Sequence, residues 1–338
     1  MDKVMSIILA AGKGTRMKSA RPKVLHRVCG YPMVYHVIDA VKGCGIRENW
    51  VVIGYGGEVV KDEIGKLTDG VSWIEQKEQL GTGHAVRVAL DGIEKGQELT
   101  LILYGDTPLL RSETLRNFVK GHIDAENDLS ILTAELPDPT GYGRIVRDKD
   151  GKIVGIVEEK DATDEQRKIN EINTGIYCVK TDWLEDAVGK LSNDNAQGEF
   201  YLTDIVSLIG GGGGKIGSFP VVDLAEIEGV NDRVDLARAQ HIMENRILEE
   251  LMKSGVTIYH PDSLYVEAGL EIGRDSIVYP NCSFVDSVKV GRECVIGSGS
   301  YFKRVSIGDY CNIGVGCYLE DVEIPSKTTV PPFSVLRG

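Results

Sequence analysis

Arg16 and Lys23 are the side chains in this sequence best placed to do chemistry, because both flank a turn of small residues that ends an apolar run. Met5-Ser6-Ile7-Ile8-Leu9 leads into Ala10-Ala11-Gly12-Lys13-Gly14-Thr15-Arg16-Met17, and Arg21-Pro22-Lys23-Val24-Leu25 follows. Backbone N–H groups in such a turn come close to a polyphosphate, and nearby cations neutralise it. Ala10, Ala11 and Gly12 leave space for a flat base against the backbone. The spacing is neither Gly-x4-Gly-Lys-[Ser/Thr] nor Gly-x-Gly-x-x-Gly. The competing reading is an ordinary tight turn carrying surface cations.

A carboxylate ends a second apolar run, Leu99-Thr100-Leu101-Ile102-Leu103-Tyr104-Gly105-Asp106. Carboxyl ends of strands line the ligand crevice of an open α/β sheet, so Asp106 falls on the same edge as the turn over 12–16. There it either ligates Mg²⁺ opposite phosphates or caps a helix before Thr107-Pro108. Asn231, in Glu228-Gly229-Val230-Asn231-Asp232, precedes a long helix. Its residue type suits a metal-ligating oxygen and an N-cap equally.

The elements that position these groups follow from periodicity. Up to about residue 230, short apolar runs alternate with amphipathic stretches, which predicts a Rossmann-like α/β domain with a mostly parallel sheet. Strands are expected over 4–9, 50–53, 72–75, 99–104, 129–133 and 173–179, with helices over 33–41, 84–90 and 112–121. A hairpin is expected from 145–147 and 153–157 around Asp150-Gly151. The glycine run 210–214 reads as a flexible loop between a helix and a strand over 216–221. Residues 232–254 read as one helix stopped by Gly255, with Val234, Ala237, Ile242, Ile247, Leu248 and Leu251 on its apolar face. The expected domains are 1–230, a linking helix over 231–254, and 255–338.

Beyond that helix the period becomes six. Val266, Ile272, Val278, Phe284, Val290, Ile296 and Phe302 recur at that spacing, and the series resumes one residue early at Ile307, Ile313 and Leu319, then at Ile324 and Val330. Small residues sit four places on, among them Ser276, Cys282, Cys294, Ser300, Cys311 and Cys317. This hexapeptide repeat predicts a parallel β-helix of about four coils, with apolar residues inside and small residues at the corners. Four of the seven cysteines thereby gain a packing role.

Bulk properties exclude several function classes. The 338 residues are 42% hydrophobic and 26% charged, ordinary for a soluble globular protein of two domains. With 38 Lys plus Arg against 51 Asp plus Glu, the net charge of −13 argues against binding nucleic acid polymers or anionic membranes. Cations for an anionic ligand must be concentrated locally, as in Arg16, Arg21 and Lys23. No apolar run reaches membrane-spanning length and no leader opens the sequence. Seven cysteines without paired spacing fit a reducing cytoplasm and give no zinc motif.

Lys-Gly-Thr-Arg-Met followed by Pro-Lys-Val-Leu-His resembles the signature of sugar-nucleotide pyrophosphorylases. The order of motifs over nearly the whole chain is most similar to the bifunctional N-acetylglucosamine-1-phosphate uridylyltransferase/glucosamine-1-phosphate acetyltransferase family of cell-wall (peptidoglycan) synthesis. That resemblance implies that UTP and N-acetylglucosamine 1-phosphate give UDP-N-acetylglucosamine and pyrophosphate. It implies catalysis by Arg16 and Lys23, and Mg²⁺ on Asp106 and Asn231. Nucleotide contacts are implied for Leu9, Ala10, Ala11, Gly12, Lys23, Gln76, Gly81 and Thr82. Substrate contacts are implied for Tyr104, Gly105, Asp106, Gly143, Glu158, Asn173 and Asn231. Physically, an amide such as Gln76 reads both a donor and an acceptor on a pyrimidine edge, and Gly81 lets the backbone approach. Without the resemblance, the same stretch reads as a helix entry capped by Thr82, with His84 in its first turn. The family pattern differs at Glu159, which leaves the sugar contact on Glu158, and Tyr201 is expected to wall that pocket.

A left-handed coil is likewise implied by the resemblance, and solenoids of this kind associate side by side, here as an expected homotrimer. The chain departs from the family in ending after about four coils, with no histidine after His260, so acetyl transfer is expected to be absent. The nearest rival is the same chemistry on another sugar 1-phosphate, such as glucose 1-phosphate. Relatives of that kind often read Leu-Ala-Gly-Gly and Lys-Pro where this chain has Leu-Ala-Ala-Gly and Pro-Lys. A silent scaffold subunit would show erosion of Arg16, Lys23 or Asp106, and all three are intact.

Overall fold

A computed structural model describes residues 1, 3–94 and 96–338, whose contacts divide into two units, Met1–His26 with Pro32–Arg233 and Arg27–Tyr31 with Val234–Gly338. In chain order the elements are β1 (Val4–Ala10), β2 (Arg27–Val28), β3 (Tyr31–Pro32), α1 (Met33–Gly43), β4 (Glu48–Ile53), α2 (Gly57–Gly65), β5 (Ser72–Glu75) and α3 (Thr82–Gly92). There follow β6 (Leu99–Tyr104), α4 (Ser112–Asp124), β7 (Leu129–Glu135), β8 (Gly143–Arg147), β9 (Ile153–Val157), α5 (Asp164–Arg167) and β10 (Glu171–Lys180). Then come α6 (Thr181–Gly189), α7 (Ile205–Gly211), β11 (Ile216–Pro220) and α8 (Arg233–Lys253).

In the first unit the sheet runs β11-β7-β10-β6-β1-β4-β5, with the β8–β9 hairpin attached at β10. β1 is buried along its whole length and pairs in parallel with β4 and β6, the usual setting of a largely apolar strand. β10 lies antiparallel between β6 and β7, so the sheet is mixed. Side chains of β1 alternate between two cores. Ile8 packs with Val34 and Ile38 of α1, whereas Ile7 and Leu9 pack with Ala85 and Val86 of α3.

Two expectations need correction here. Gly210 and Gly211 close α7, so only the rest of the glycine run is a loop. α8 buries Ala239, Leu248 and Leu251, while Val234 is 67% exposed. Only its C-terminal half joins the apolar core of the second unit.

In the second unit three ladders of parallel pairs rise side by side. Val266, Phe284, Phe302, Leu319 and Leu336 stack in one. Ile272, Val290, Ile307 and Ile324 form the next, and Ile258, Val278, Ile296, Ile313 and Val330 the third. These are the three faces of a parallel β-helix. At the corners a residue at positive φ, such as Asp275, Asn281, Glu293 or Tyr310, precedes the small residue. The small side chain then donates to a carbonyl of the following coil: Ser276 Oγ to Gly291 O at 2.8 Å, Cys294 Sγ to Gly308 O at 3.1 Å and Cys311 Sγ to Pro325 O at 3.2 Å. All seven cysteines are free and buried. The β2–β3 connection is tied into this unit, since Cys29 N–H donates to Gln240 Oε1 at 2.6 Å and Cys29 O accepts from Ala268 N–H at 2.9 Å. Among the described residues no helix is long and apolar enough to cross a membrane.

Candidate active site

Strand register brings the motifs of the first unit to one sheet edge. Leu9 is level with Tyr104, Ala10 with Ile53, and Ile53 with Glu75. Backbone bonds continue past the strand ends: Gly105 N–H donates to Leu9 O at 2.9 Å, and Gln76 N–H to Ile53 O at 2.8 Å. The turn after β1, Gln76 after β5 and Asp106 after β6 therefore share the carboxyl edge of the sheet, as topology requires of a ligand crevice.

Gly14 adopts φ +61°, and a Cβ there would lie 2.4 Å from Lys23 Cβ. Glycine thus lets the Lys23 stem run against the turn. Lys23 Nζ lies 2.5 Å from Asp106 Oδ2 and 2.9 Å from Asn231 Oδ1, and Arg16 Nη2 donates to the same Oδ1 at 2.9 Å. Asn231 is held in place from behind. Val230 N–H donates to Asp106 O at 2.9 Å. Buried Glu226 accepts from Arg111 N–H and Thr114 Oγ1, fastening the preceding segment to the start of α4. The N-cap alternative for Asp106 falls away, because the next helix begins only at Ser112.

Two cavities of about 400 Å³ each open from this cluster and share Arg16, Tyr104, Asp106 and Asn231. The first is walled by Leu9, Ala11, Gly12, Lys13, Gly14, Thr15, Lys23, Gln76, Gly81 and Thr82. Backbone N–H groups of Gly12, Lys13 and Gly14 donate to no described residue. Gln76 Nε2 donates to Gly81 O at 3.2 Å and lies 3.0 Å from His84 Nδ1. Thr82 is not a cap: it is the first residue of α3, and its Oγ1 accepts from Leu202 N–H at 3.2 Å.

The second cavity is walled by Thr140, Tyr142, Gly143, Glu158, Asn173 and Gly175. Burial pushes the Glu158 carboxyl above its ordinary range, with Asp161 and Asp204 adding to the effect, while Thr203 Oγ1 donates to it at 3.1 Å. Glu159 is turned instead to Arg144, 2.7 Å away, whose hydrogen bond holds this carboxyl below its ordinary range. Asn173 faces the cavity with its amide partly used, Nδ2 on the Tyr177 hydroxyl at 2.7 Å and Oδ1 on Gly175 N–H at 3.0 Å. Tyr104 sits where the cavities meet, its phenol raised above its ordinary range, first by burial and then by Glu158 and Asp106.

Four expected residues do not line either cavity. Ala10 belongs to the α1 core because it alternates with Leu9 and Ala11, and Gly105 packs against it, 3.2 Å from its methyl for a would-be Cβ. Tyr201 is buried with its hydroxyl accepting from Gln197 Nε2 at 2.8 Å, and lines neither of the two cavities. Arg21 turns away to Glu63 at 2.6 Å and to Leu25 O at 3.0 Å. Conversely, Gln79, Glu199 and Thr203 contribute without any motif that marks them. A larger hollow of about 1230 Å³ opens beside Lys3, Glu98 and Trp183 at the amino end of the sheet, and holds none of the motif residues.

A turn of free N–H groups, two cations and a carboxylate–amide pair at a sheet edge fit phosphoryl chemistry, and the family described as nucleotidyl transferase matches residues 5–219. The chain is 49% identical over 300 residues to "Bifunctional protein GlmU" of Caldanaerobacter subterraneus subsp. tengcongensis, covering 89% of this chain and 65% of that protein. It is 45% identical over 295 residues to the protein of that name from Clostridioides difficile, covering 87% and 63%. With the one from Geobacillus sp. strain WCH70 it shares 43% over 337 residues, covering 100% and 72%. The chain belongs to the GlmU family of nucleotidyl transferases, and spans just under two thirds of the length of the first two relatives.

Proposed function

We propose that the first unit transfers the uridylyl group of UTP to N-acetylglucosamine 1-phosphate, giving UDP-N-acetylglucosamine and pyrophosphate. The observation that carries this reading is the junction of two cavities at Arg16, Asp106 and Asn231, with Lys23 bonded to the last two. One cavity suits a nucleoside triphosphate and the other a sugar, and their phosphates meet at the junction.

The sugar phosphate is already anionic near neutral pH, so the task is to bring two anions together and hold the attack in line. An oxygen of the sugar phosphate bonds to the α-phosphorus as the α–β bridge breaks and pyrophosphate leaves. Free N–H groups at Gly12, Lys13 and Gly14 cradle the triphosphate. Arg16 holds the leaving pyrophosphate, and Lys23 stabilises charge on the transferring group. Gln76 and Gly81 read the uracil beside Leu9, Ala11 and Thr82. Glu158 accepts from sugar hydroxyls, Gly143 leaves them room, and Asn173 offers what remains of its amide.

The site fits Mg²⁺. Asp106 and Asn231 present hard oxygens that already share one ammonium, and one or two protein ligands completed by substrate phosphates are typical for this ion. Bound there, Mg²⁺ supplies charge neutralisation at the α-phosphate and the incoming phosphate. The family reading also carries a homotrimer through left-handed coils, a division near residues 231–254, and residence in the cytoplasm. No acetyl transfer is proposed for the coils present, which contain no histidine after His260 to serve as base.

The test is pyrophosphate release across a panel of nucleoside triphosphates and sugar 1-phosphates, with and without Mg²⁺. UTP with N-acetylglucosamine 1-phosphate and Mg²⁺ is expected to dominate. Faster release with glucose 1-phosphate transfers the reading to that sugar, and release with no pair refutes it.

A further inference from the structure

We infer that His84 sets the base preference of the nucleotide cavity by holding the Gln76 carboxamide with its oxygen toward the base, an inference that rests on the uridine-nucleotide reading above. Gln76 is only 3% exposed, and its Nε2 contacts both Gly81 O and His84 Nδ1. A backbone carbonyl can only accept, so the group facing Gly81 is the amide NH₂. The same NH₂ then donates to His84, which makes Nδ1 an acceptor and puts the imidazole proton on Nε2.

Oε1 is left for a ligand, since it accepts from no described residue, and Gly81 N–H donates to none. The cavity therefore offers one acceptor beside one donor. Uracil carries an N3–H between two carbonyl oxygens, whereas cytosine carries a lone pair at N3. With its oxygen outward, the amide pairs with the first and opposes the second. A buried site built to pair one polar group rejects the analogue that cannot supply it.

His84 is itself well braced. It lies in the first turn of α3 with its ring 6.4 Å from that of Phe200, over which Arg87 sits at 4.9 Å. Phe200 is pinned by N–H donation to Leu80 O and by acceptance from Gly83 N–H, both at 2.8 Å. Without the imidazole, one amide N–H loses its acceptor and the carboxamide turns more freely. His84 is thus a positioning residue, acting through Gln76.

The experiment compares UTP and CTP affinity by calorimetry on the full chain with Mg²⁺ and no sugar phosphate. Wild type, His84→Ala and His84→Asn are compared, the last placing an amide oxygen near the Nδ1 position. Wild type is expected to prefer UTP by at least ~10²-fold. The preference should fall roughly tenfold in His84→Ala, mainly through weaker UTP binding, and largely return in His84→Asn. Equal weakening of both nucleotides, with the ratio unchanged, overturns the inference, and so does a wild type without preference. Should His84→Ala fail to fold, ¹⁵N shifts of the wild-type imidazole decide: a proton on Nε2 supports the inference and one on Nδ1 overturns it. A protein that shows the predicted affinities yet releases no pyrophosphate with N-acetylglucosamine 1-phosphate refutes the proposed reaction while supporting the role of His84.

Discussion

The coils of the second unit and the site of the first are built on opposite plans. In the coils, partners recur at nearly constant separation: Phe284 over Phe302, Cys294 Sγ on Gly308 O, Cys311 Sγ on Pro325 O. At the site, Lys23 meets Asp106 across 83 positions and Arg16 meets Asn231 across 215. The first plan spreads stability over many equivalent contacts. The second concentrates charge at one point and contributes little to packing. Substitutions in the two regions should therefore separate stability from turnover.

The largest effect is expected at the centre of the coils. Phe302 is fully buried and stacked on Phe284 with centroids 5.2 Å apart, so Phe302→Ala should cost about 3–5 kcal/mol in denaturant unfolding of the second unit. Turnover per folded molecule should not change, and a parallel loss would show that the two plans are not separable. At the site the pattern reverses. Lys23→Ala and Arg16→Ala should each lower pyrophosphate release by at least ~10²-fold at saturating substrate, with little change in the unfolding midpoint. Near-normal turnover in both would remove their roles.

Smaller effects probe the corners and the support of the second cavity. Cys294→Ala loses a thiol donor and some packing and should cost about 1 kcal/mol, whereas Cys294→Ser should recover part of it, as Ser276 and Ser300 already occupy equivalent corners. The smallest change is expected for Glu159→Gln. Because Arg144 holds the Glu159 carboxyl below its ordinary range, its contribution is complete above the unfolded value of about 4.3 and is lost as pH falls through the native one. Melting curves of wild type and Glu159→Gln should therefore differ most near neutrality and converge in acid. A gap that widens in acid contradicts this account.

The same contrast explains what could be read from residues alone. Hexads name the interior of the coils residue by residue, because each apolar position repeats one local environment. Val266, Phe284 and Phe302 are buried as their period predicts. The sheet and its carboxyl edge are equally legible, since a largely apolar run such as β1 has few other fates. Side-chain direction was not. Ala10 and Leu9 are neighbours in the motif, yet strand alternation sends them to opposite faces. Arg21 looked like a third phosphate cation, but Glu63 lies 42 positions away in sequence and takes it. Val234 fits the helical stripe by its spacing, yet it is exposed, and only the C-terminal half of that stripe joins the apolar core of the coils. Nor does composition reveal that both amide protons of Gln76 are engaged, which depends on the positions of Gly81 and His84.

A crystal structure with UDP-N-acetylglucosamine and Mg²⁺ tests the central claim most directly. The diphosphate should lie across the junction of the two cavities, with the metal on Asp106 and Asn231, Arg16 and Lys23 turned toward the phosphates, uracil beside Gln76 and the sugar beside Glu158. A sugar nucleotide bound elsewhere, or both cations pointing into solvent with Asp106 remote from the metal, would contradict the account.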